Sequence, residues 1–289
     1  MNPDRYFHIC PLCHSKHIKA LSAYAHAYLS KCSNCGLVFA SKIPTVPEIT
    51  SHYSNYPRGF NISPVTFERY NELLDNFESY RKTNNLLDIG CGSGHFIETA
   101  KKRGWNAFGT EISKEAVDLC NRKGLKVIKS NFSDTSFMEN FFDVITCFEV
   151  IEHIQTPHAL IKYSRRILRD GGALYLTTPN FNALSRIILG GKWNIIEYPE
   201  HLSYYTPRTL HKLFISHNFI RGKMETTGVS ISRFRKCIIN SNVSINDDPI
   251  RERIEKSCFL RTLKIIINYF LVLTEKGDTI KTLYIKANI

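Results

Sequence analysis

One stretch of the sequence, NLLDIGCGSGHF at residues 85–96, restricts the fold more than any other. An apolar run of strand-forming residues leads directly into glycines at 90, 92 and 94, and a helix-like pattern follows. Glycines let the backbone adopt positive φ and approach a ligand closely. We therefore expect a strand, a ligand-binding turn and a helix, which form the opening unit of a doubly wound α/β sheet.

Four further apolar segments follow the glycine loop and alternate with helix-like stretches. They are WNAFGTEI (105–112), LKVIKS (125–130), FFDVITCF (141–148) and ALYLTTPN (173–180). Alternation of this kind indicates parallel strands joined by crossover helices. KMETTGVS (223–230) and GDTIKTLYIKA (277–287) predict two more strands, which complete a mostly parallel, seven-stranded sheet with an antiparallel edge strand. A helix over 64–82 is expected to cover this domain, because its apolar residues share one face.

The residues around the glycine loop select among the ligands that such loops bind. A phosphate-binding loop continues with Lys followed by Ser or Thr, whereas this loop continues HFIE, and a dinucleotide fingerprint needs glycine where His95 stands. Asp88 can hold an ammonium group, and Glu111, at the end of the next strand, can accept hydrogen bonds from two ribose hydroxyls. These features suit the polar ends of S-adenosylmethionine, which has no phosphate.

Five motifs follow one another between residue 86 and about residue 215: LLDIGCGSG, GTEIS, FFDVITCFEVIEHI, RDGGALYLTTPN and EHLSYYTPRTL. In this order they resemble the class I S-adenosylmethionine-dependent methyltransferases. The resemblance implies a Rossmann-like sheet and a methyl-transferring enzyme. Asn131 stands where the family often has an Asp facing the adenine amine, and its carbonyl oxygen can still serve. The cofactor-binding residues implied by position are Asp88, Gly90, Gly92, Gly94, Glu111, Ile112, Asn131, Phe132 and Phe148.

Two polar segments follow the fourth and fifth strands, at the edge where such sheets bind ligands. In FEVIEHI, Glu149, Glu152 and His153 have i, i+3, i+4 spacing, which predicts one helical face, and YPEHLSYYT adds Glu200 and His201. The pattern resembles metal-dependent O-methyltransferases of ubiquinone synthesis and of small-RNA 3′ ends, which implies a Mg²⁺ site of Glu149, Glu152, His153 and His201. The alternative is a metal-free site in which His201 is the general base, with His153 and Glu200 as further catalytic residues.

The N-terminal region contains two CxxC pairs, Cys10 with Cys13 and Cys32 with Cys35, eighteen residues apart. Thiolate pairs at this spacing chelate one tetrahedral zinc ion from two tight turns. Four thiolates fill the coordination shell, so the zinc ion is expected to be structural. We predict a zinc-ribbon module with its linker over 1–56 and a methyltransferase domain over 57–289, which comprises the covering helix 64–82, the cofactor-binding core 86–206 and the C-terminal part 207–289.

The formal net charge of +12 is concentrated in residues 207–289, which hold 15 Lys and Arg against 7 Asp and Glu. Such a field favours an anionic partner, for example a nucleotide-linked sugar, a phosphorylated glycan, RNA or a membrane surface. The segment CFLRTLKIIINYFLVL (258–273) contains Arg261 and Lys264 and is too short for a membrane span, so we expect a buried or interfacial helix. The N-terminus shows no secretory signal, which predicts a cytoplasmic location.

A four-cysteine module before a methyltransferase domain is similar to the arrangement in sugar C-methyltransferases that act on nucleotide-linked keto sugars, although those enzymes carry a further C-terminal domain. We therefore predict methylation of a sugar or sugar-containing small molecule in glycan or secondary-metabolite biosynthesis, on oxygen first and carbon second. The alternative is an RNA methyltransferase that binds RNA through the zinc module and the basic C-terminal third. A binding protein without turnover is disfavoured, because the glycine loop, Glu111 and His201 are intact.

Overall fold

The computed structural model describes residues 5–45, 47–49, 62–130, 132, 136–229, 253–254 and 257–288. Asn131 and most of the segment 235–256, to which the sequence assigns no function, lie outside the described residues. The strands are β1 (Ile18–Ala20), β2 (Leu29–Cys32), β3 (Val38–Ala40), β4 (Asn85–Ile89), β5 (Asn106–Glu111), β6 (Lys126–Lys129), β7 (Phe142–Phe148), β8 (Leu168–Pro179), β9 (Ser203–Tyr204), β10 (Phe219–Thr227) and β11 (Thr279–Lys286).

The described α-helices lie between these strands. They are α1 (Pro64–Phe77), α2 (His95–Lys102), α3 (Lys114–Arg122), α4 (Pro157–Ile167), α5 (Leu184–Leu189), α6 (Pro207–Ile215) and α7 (Cys258–Leu273). Their starts follow local sequence signals: Ser63, Ser113 and Thr206 each accept a hydrogen bond from a first-turn backbone N–H. The predicted covering helix ends at Phe77 and continues as a short 3₁₀ turn, Glu78–Tyr80.

The main sheet has the strand order β10-β11-β8-β7-β4-β5-β6, with parallel pairing from β8 to β6. The predicted doubly wound, mostly parallel seven-stranded fold is confirmed. The antiparallel strand is β11, and it lies one position in from the edge, between β8 and β10. Five of its eight residues are buried, against two of nine in β10, so the more buried strand takes the inner position.

Helices cover both faces of the main sheet because alternate strand residues point to opposite sides. Leu87 and Ile145 belong to the core that α4 and α6 cover. Leu86 and Val144 belong to the core beneath α1, α2 and α3. The doubly wound arrangement leaves the carboxyl ends of β4, β5, β7 and β8 at one edge, where the candidate site residues follow each strand.

The N-terminal cysteine region forms a second sheet of four strands in the order β1-β2-β3-β9. Strand β9 comes from the YPEHLSYYT segment and pairs with β3, with Val38 opposite Tyr204 and Phe39 opposite Ser203. Cys10, Cys32 and Cys35 also belong to the same core cluster as α4 and α6. The cysteine region is therefore built into the larger domain through a shared sheet and a shared core, while the predicted boundary at residue 56 stays a prediction.

The helix predicted over 258–273 forms over those residues as α7. Within it, Leu271 is buried, while most of the other apolar side chains are exposed to solvent. Of the helices in the described part of the chain, none combines the length and the apolar character needed to cross a bilayer.

Candidate active site at the carboxyl edge of the sheet

The glycine loop after β4 depends on backbone shapes and clearances that other residues lack. Gly90 has φ +72°, and a Cβ added to it would lie 2.5 Å from the Val150 Cγ2 atom, so the loop packs directly against the segment after β7. Gly92 has φ +50°, and an added Cβ would meet no atom within 4 Å. Gly94 begins α2 with φ +77°. The loop is thus closely packed at Gly90 and open at Gly92, where a ligand can approach the backbone.

Asp88 lies at the end of β4 and is 2% exposed. The hydroxyl of Thr146, on the neighbouring strand β7, donates a hydrogen bond of 2.7 Å to its Oδ1 atom. Burial, with a further contribution from the charge of Glu111, raises the pKa of Asp88 to about 7 despite this bond. A ligand cation beside Asp88 would therefore stabilise the ionised form of this buried carboxylate.

Glu111, at the end of β5, connects the two sides of the predicted cofactor site. Its Oε2 atom accepts a hydrogen bond from the Gly92 N–H at 2.9 Å, and its Oε1 atom accepts from the Ile112 and Ser113 N–H groups, both at 2.8 Å. A carboxylate has about four acceptor positions. The three bonds orient the carboxylate and leave acceptor capacity on Oε2, while the Ile112 side chain is 57% exposed beside it.

Aromatic rings close the methionine side of the loop. The Phe148 ring, at the end of β7, packs against Phe96 with a centroid distance of 5.0 Å and against Tyr70 of α1 at 6.1 Å. Phe132 is buried, and its ring packs against that of Tyr163 in the core with a centroid distance of 6.0 Å. The contact of Tyr70 with Phe148 was missed, because sequence periodicity does not show which ring of a helix meets the loop.

The segment after β7 differs from the predicted α-helix. Glu149 has φ +52°, and a 3₁₀ turn over Ile151–His153 follows it. The i, i+3, i+4 argument was therefore wrong for this segment, because the tight loop at Gly90 and Val150 forces a sharp turn. The structure brings Glu152, His153 and His201 together, with ligand atoms within 4.8 Å of one another, and Glu149 is outside that group. The predicted Mg²⁺ set that includes Glu149 stays a prediction.

The two histidines of this cluster are each hydrogen-bonded through Nδ1 to a backbone carbonyl oxygen. The Nδ1 atom of His153 is hydrogen-bonded to the Glu200 carbonyl oxygen at 2.8 Å, and that of His201 to the Ile195 carbonyl oxygen at 2.7 Å. A carbonyl oxygen can only accept, so each Nδ1 carries the proton, and each neutral ring has its lone pair on Nε2. The rings lie 4.8 Å apart between centroids. In each ring, Nε2 is therefore the nitrogen that can take part in proton transfer or metal binding.

Glu152 is the buried carboxylate of the cluster, with 1% exposure. Its Oε2 atom accepts a hydrogen bond of 2.9 Å from Thr178 at the end of β8, while Oε1 is buried without a hydrogen-bond partner and lies 4.0 Å from the His153 Nε2 atom. Burial, followed by the charge of Glu149, raises the pKa of Glu152 well above its usual range. An unsatisfied buried oxygen grouped with two imidazoles, with ligand atoms within 4.8 Å of one another, is suited to hold a divalent cation.

Strand β9 and its flanking loop place His201 at this edge. The Leu202 N–H donates to the Glu152 carbonyl oxygen at 2.8 Å, which joins the loop to the turn after β7. Glu200 is 8% exposed, and its backbone carbonyl holds His153. The backbone groups that orient both imidazoles, and the strand-end hydroxyls of Thr146 and Thr178, could not be predicted individually from the sequence, because they depend on how the strands are aligned.

The four cysteines of the N-terminal sheet meet at one point. Their sulfur atoms lie within 4.8 Å of one another, with 3.5 Å between the sulfurs of Cys10 and Cys35 and 3.5 Å between those of Cys13 and Cys32. Backbone N–H groups of Leu12, Cys35 and Leu37 point at the cysteine sulfurs. Such N–H groups stabilise thiolates, so this donor set fits a tetrahedral zinc ion.

Comparison with known proteins agrees with this fold. Residues 66–220, more than half of the chain, match the family described as the methyltransferase domain. The chain therefore belongs to the methyltransferase domain family, and its architecture is that of the class I S-adenosylmethionine-dependent methyltransferases. The predicted family is confirmed. The cysteine region and α7 lie outside the matched residues.

Among similar curated proteins are ubiquinone biosynthesis O-methyltransferases. That of Actinobacillus pleuropneumoniae is 29% identical over 128 residues, which are 40% of this chain and 55% of the relative. That of Psychrobacter cryohalolentis is 29% identical over 154 residues, which are 47% of this chain and 59% of the relative. The chain spans somewhat over half the length of these relatives.

Two solved structures illustrate the likeness in fold. A methyltransferase from Archaeoglobus fulgidus, titled as S-adenosylmethionine-dependent, has a TM-score of 0.54 at 18% identity and covers 84% of this chain and 100% of its own. The geranyl diphosphate C-methyltransferase of Streptomyces coelicolor has a TM-score of 0.52 at 16% identity and covers 76% of this chain and 79% of its own. At such identities, the likeness concerns the fold.

Proposed function

We propose that this chain transfers the methyl group of S-adenosylmethionine to a hydroxyl oxygen of a small molecule. The observation that carries the proposal is the pairing of two half-sites at one sheet edge. The glycine loop with Asp88 and Glu111 suits the cofactor, and Glu152, His153 and His201 form a proton-accepting or metal-binding cluster after β7 and β8. The Gly90–Val150 contact joins the two halves.

In the cofactor-binding half of the site, each residue role follows from the two polar ends of S-adenosylmethionine. Asp88 would receive the ammonium group of the methionine portion, the open backbone at Gly92 would face its carboxylate, and Glu111 would accept from the ribose hydroxyls. Phe148 would contact the methionine end, and Ile112 the adenine end. The Phe132 backbone would also contact the adenine. The sulfonium already activates the methyl group, so the protein has to align the acceptor oxygen and help remove its proton.

In the acceptor half, the His201 Nε2 atom would take the hydroxyl proton as the oxygen attacks the methyl carbon. One C–O bond forms, the C–S bond breaks, and the electron pair of that bond stays on sulfur as S-adenosylhomocysteine is released. Proton transfer needs the lone pair on Nε2, which the Ile195 carbonyl ensures by holding Nδ1–H. His153, held in the same way by Glu200, would accept a hydrogen bond from the acceptor or share the proton.

A second candidate for the acceptor half is a divalent cation held by Glu152, His153 and His201. The buried Glu152 Oε1 atom, which has no hydrogen-bond partner, favours it. Such a cation supplies acidification of a bound hydroxyl. Titration with Mn²⁺, followed by calorimetry and by electron paramagnetic resonance, tests this candidate: wild type is expected to bind one ion at this cluster, and Glu152→Gln to lose it. Equal binding by both proteins would rule it out.

The acceptor atom is inferred from the relatives that this chain resembles. The curated relatives are named as O-methyltransferases of ubiquinone synthesis, and similar structures include C- and N-methyltransferases. Oxygen is therefore the favoured acceptor atom, while the sugar acceptor and the RNA alternative stay predictions. A methyl-transfer assay with catechols, nucleotide sugars and RNA tests the proposal, and product analysis by mass spectrometry should locate the new methyl group on oxygen. Methylation of carbon or nitrogen alone would overturn the O-methyl assignment.

Binding of S-adenosylmethionine is expected to weaken at acidic pH. The free-protein pKa of Asp88 is about 7, and an ammonium group beside it lowers that value, so the complex needs the ionised form. The affinity for S-adenosylmethionine is therefore highest above this pKa and falls below it, by at least about tenfold between pH 7 and pH 5. The cofactor's own amine stays protonated over this range. Calorimetric titration across this range measures the slope. Asp88→Asn should remove it, and an unchanged slope in that variant would refute the ammonium contact.

The zinc proposal has a separate consequence for activity. Cys32→Ser is expected to release the zinc ion and to lower kcat/KM by about tenfold or more, because zinc binding supplies folding free energy to a module of this size. Strand β3 of that module pairs with β9, which follows His201 directly. Cys258→Ser is the matched control, since Cys258 is exposed and distant in sequence from this cluster. Full activity with no bound zinc in Cys32→Ser would contradict the proposal.

A further inference from the structure

A groove lined with basic side chains lies between the cysteine region and the start of helix α6. Its volume is about 480 Å³, and its lining includes Lys19 of β1, Lys31 of β2 and Arg208 of α6. The rest of the lining is Leu21 and residues 32–36, so the described residues around it include no Asp or Glu. We call this site the basic groove.

The two lysines of the basic groove repel each other in the folded chain. Lys19 and Lys31 stand directly opposite each other in the antiparallel pair of β1 and β2. Side chains in such a pair lie on one face with roughly 5 Å between their Cβ atoms, and like charges there destabilise the sheet. Both lysines are exposed, and neither forms an ion pair within the part of the chain that the structure describes. An anion bound between them would remove this repulsion.

Arg208 adds a second charge at an unfavourable place. It is the second residue of α6, and the first turn of that helix contains no acidic residue. The N-terminal end of a helix carries a partial positive charge, so a cation there opposes the helix dipole. Positions that break such local rules are expected at functional sites. One anion in the basic groove would compensate both the lysine pair and the start of α6.

The neighbouring cysteine cluster does not account for these cations. A zinc ion with four thiolates carries a net charge of about −2, which attracts positive groups. Among the described residues, the nitrogen groups that donate to the sulfurs are the backbone N–H groups of Leu12, Cys35 and Leu37 and the side-chain amide of Asn34. The basic side chains of the groove make no such contact, so their charges are open to a ligand in the groove.

The charge and size of the basic groove indicate the class of its ligand. Three cations suit an anion with more than one negative charge, and a phosphoryl group carries about −1.5 to −2 at neutral pH. Lys and Arg both bind phosphate oxygens through charge-assisted hydrogen bonds. A groove of about 480 Å³ is of the size that holds small molecules. We propose that the basic groove binds the phosphoryl groups of a small phosphorylated molecule. The inference is independent of the methyl-transfer proposal.

Calorimetric titration with pyrophosphate of the full chain, purified in the presence of zinc, tests the proposal. Wild type is expected to bind one pyrophosphate per chain, and added salt should weaken that binding. Lys31→Glu is expected to lose at least about tenfold in affinity, because it replaces a charge-assisted hydrogen bond with repulsion. Arg208→Glu should lose on the order of tenfold for the same reason.

Arg122→Glu is the matched control, because it changes the net charge by the same amount as Lys31→Glu. Arg122 is exposed at the end of α3, and that helix belongs to the other core of the main sheet from the one that the cysteines join. This variant should bind pyrophosphate like wild type.

Circular dichroism and zinc content verify that each variant is folded. No pyrophosphate binding by folded wild type, or equal affinity in wild type and Lys31→Glu, would overturn the proposal. Binding of a short single-stranded RNA without any binding of pyrophosphate would also overturn it and would assign the basic groove to a polynucleotide.

Discussion

His201→Ala is expected to lower kcat by about 10²- to 10⁴-fold, the usual contribution of a positioned general base. The variant removes the imidazole that the Ile195 carbonyl orients and that lies in one cluster with Glu152 and His153. The cofactor contacts of Asp88 and Glu111 are left in place, so S-adenosylmethionine binding should be unchanged. Steady-state kinetics with an identified acceptor, together with calorimetric binding of the cofactor, separate these two effects.

Two further variants show whether the loss is specific to His201. His201→Asn keeps a side-chain N–H for the Ile195 carbonyl but has no basic nitrogen, so it should be as slow as His201→Ala. His26→Ala removes a histidine that is exposed in the cysteine region, and it should retain wild-type kcat. Wild-type turnover by His201→Ala, in a protein shown to be folded, would remove His201 from both proposed roles.

Much of the fold could be predicted because its signals are local. The apolar run into Gly90, Gly92 and Gly94 requires a strand and a tight turn, and the segments that alternate after it require crossovers. The position of β11 inside the sheet was missed, because it depends on which of two C-terminal strands buries more side chains. The pairing of β9 with β3 was also missed, since two residues of strand leave no periodic pattern.

In the candidate site, too, local signals were predicted and long-range contacts were missed. Asp88 and Glu111 were predicted because their place at strand ends is fixed by the glycine loop between them. For Glu149 the spacing argument assumed an α-helix, whereas the backbone there turns through positive φ. Ile195 and Thr178, which orient His201 and Glu152, contribute through long-range contacts that no spacing rule contains.

We expect the glycine loop and Glu111 to bind S-adenosylmethionine. Glu111→Ala is expected to raise the Kd by about 10- to 100-fold, because it removes charge-assisted hydrogen bonds to the ribose and releases the Gly92 N–H. Asp118→Ala, an exposed carboxylate on the next helix, is the matched control and should bind like wild type.

Calorimetric titration of the full chain with S-adenosylmethionine and with S-adenosylhomocysteine is the most direct measurement of this claim. The predicted result is saturable binding of one molecule per chain by wild type and by Asp118→Ala, with a large loss in Glu111→Ala. No saturable binding by folded wild type, or equal affinity in wild type and Glu111→Ala, would contradict it.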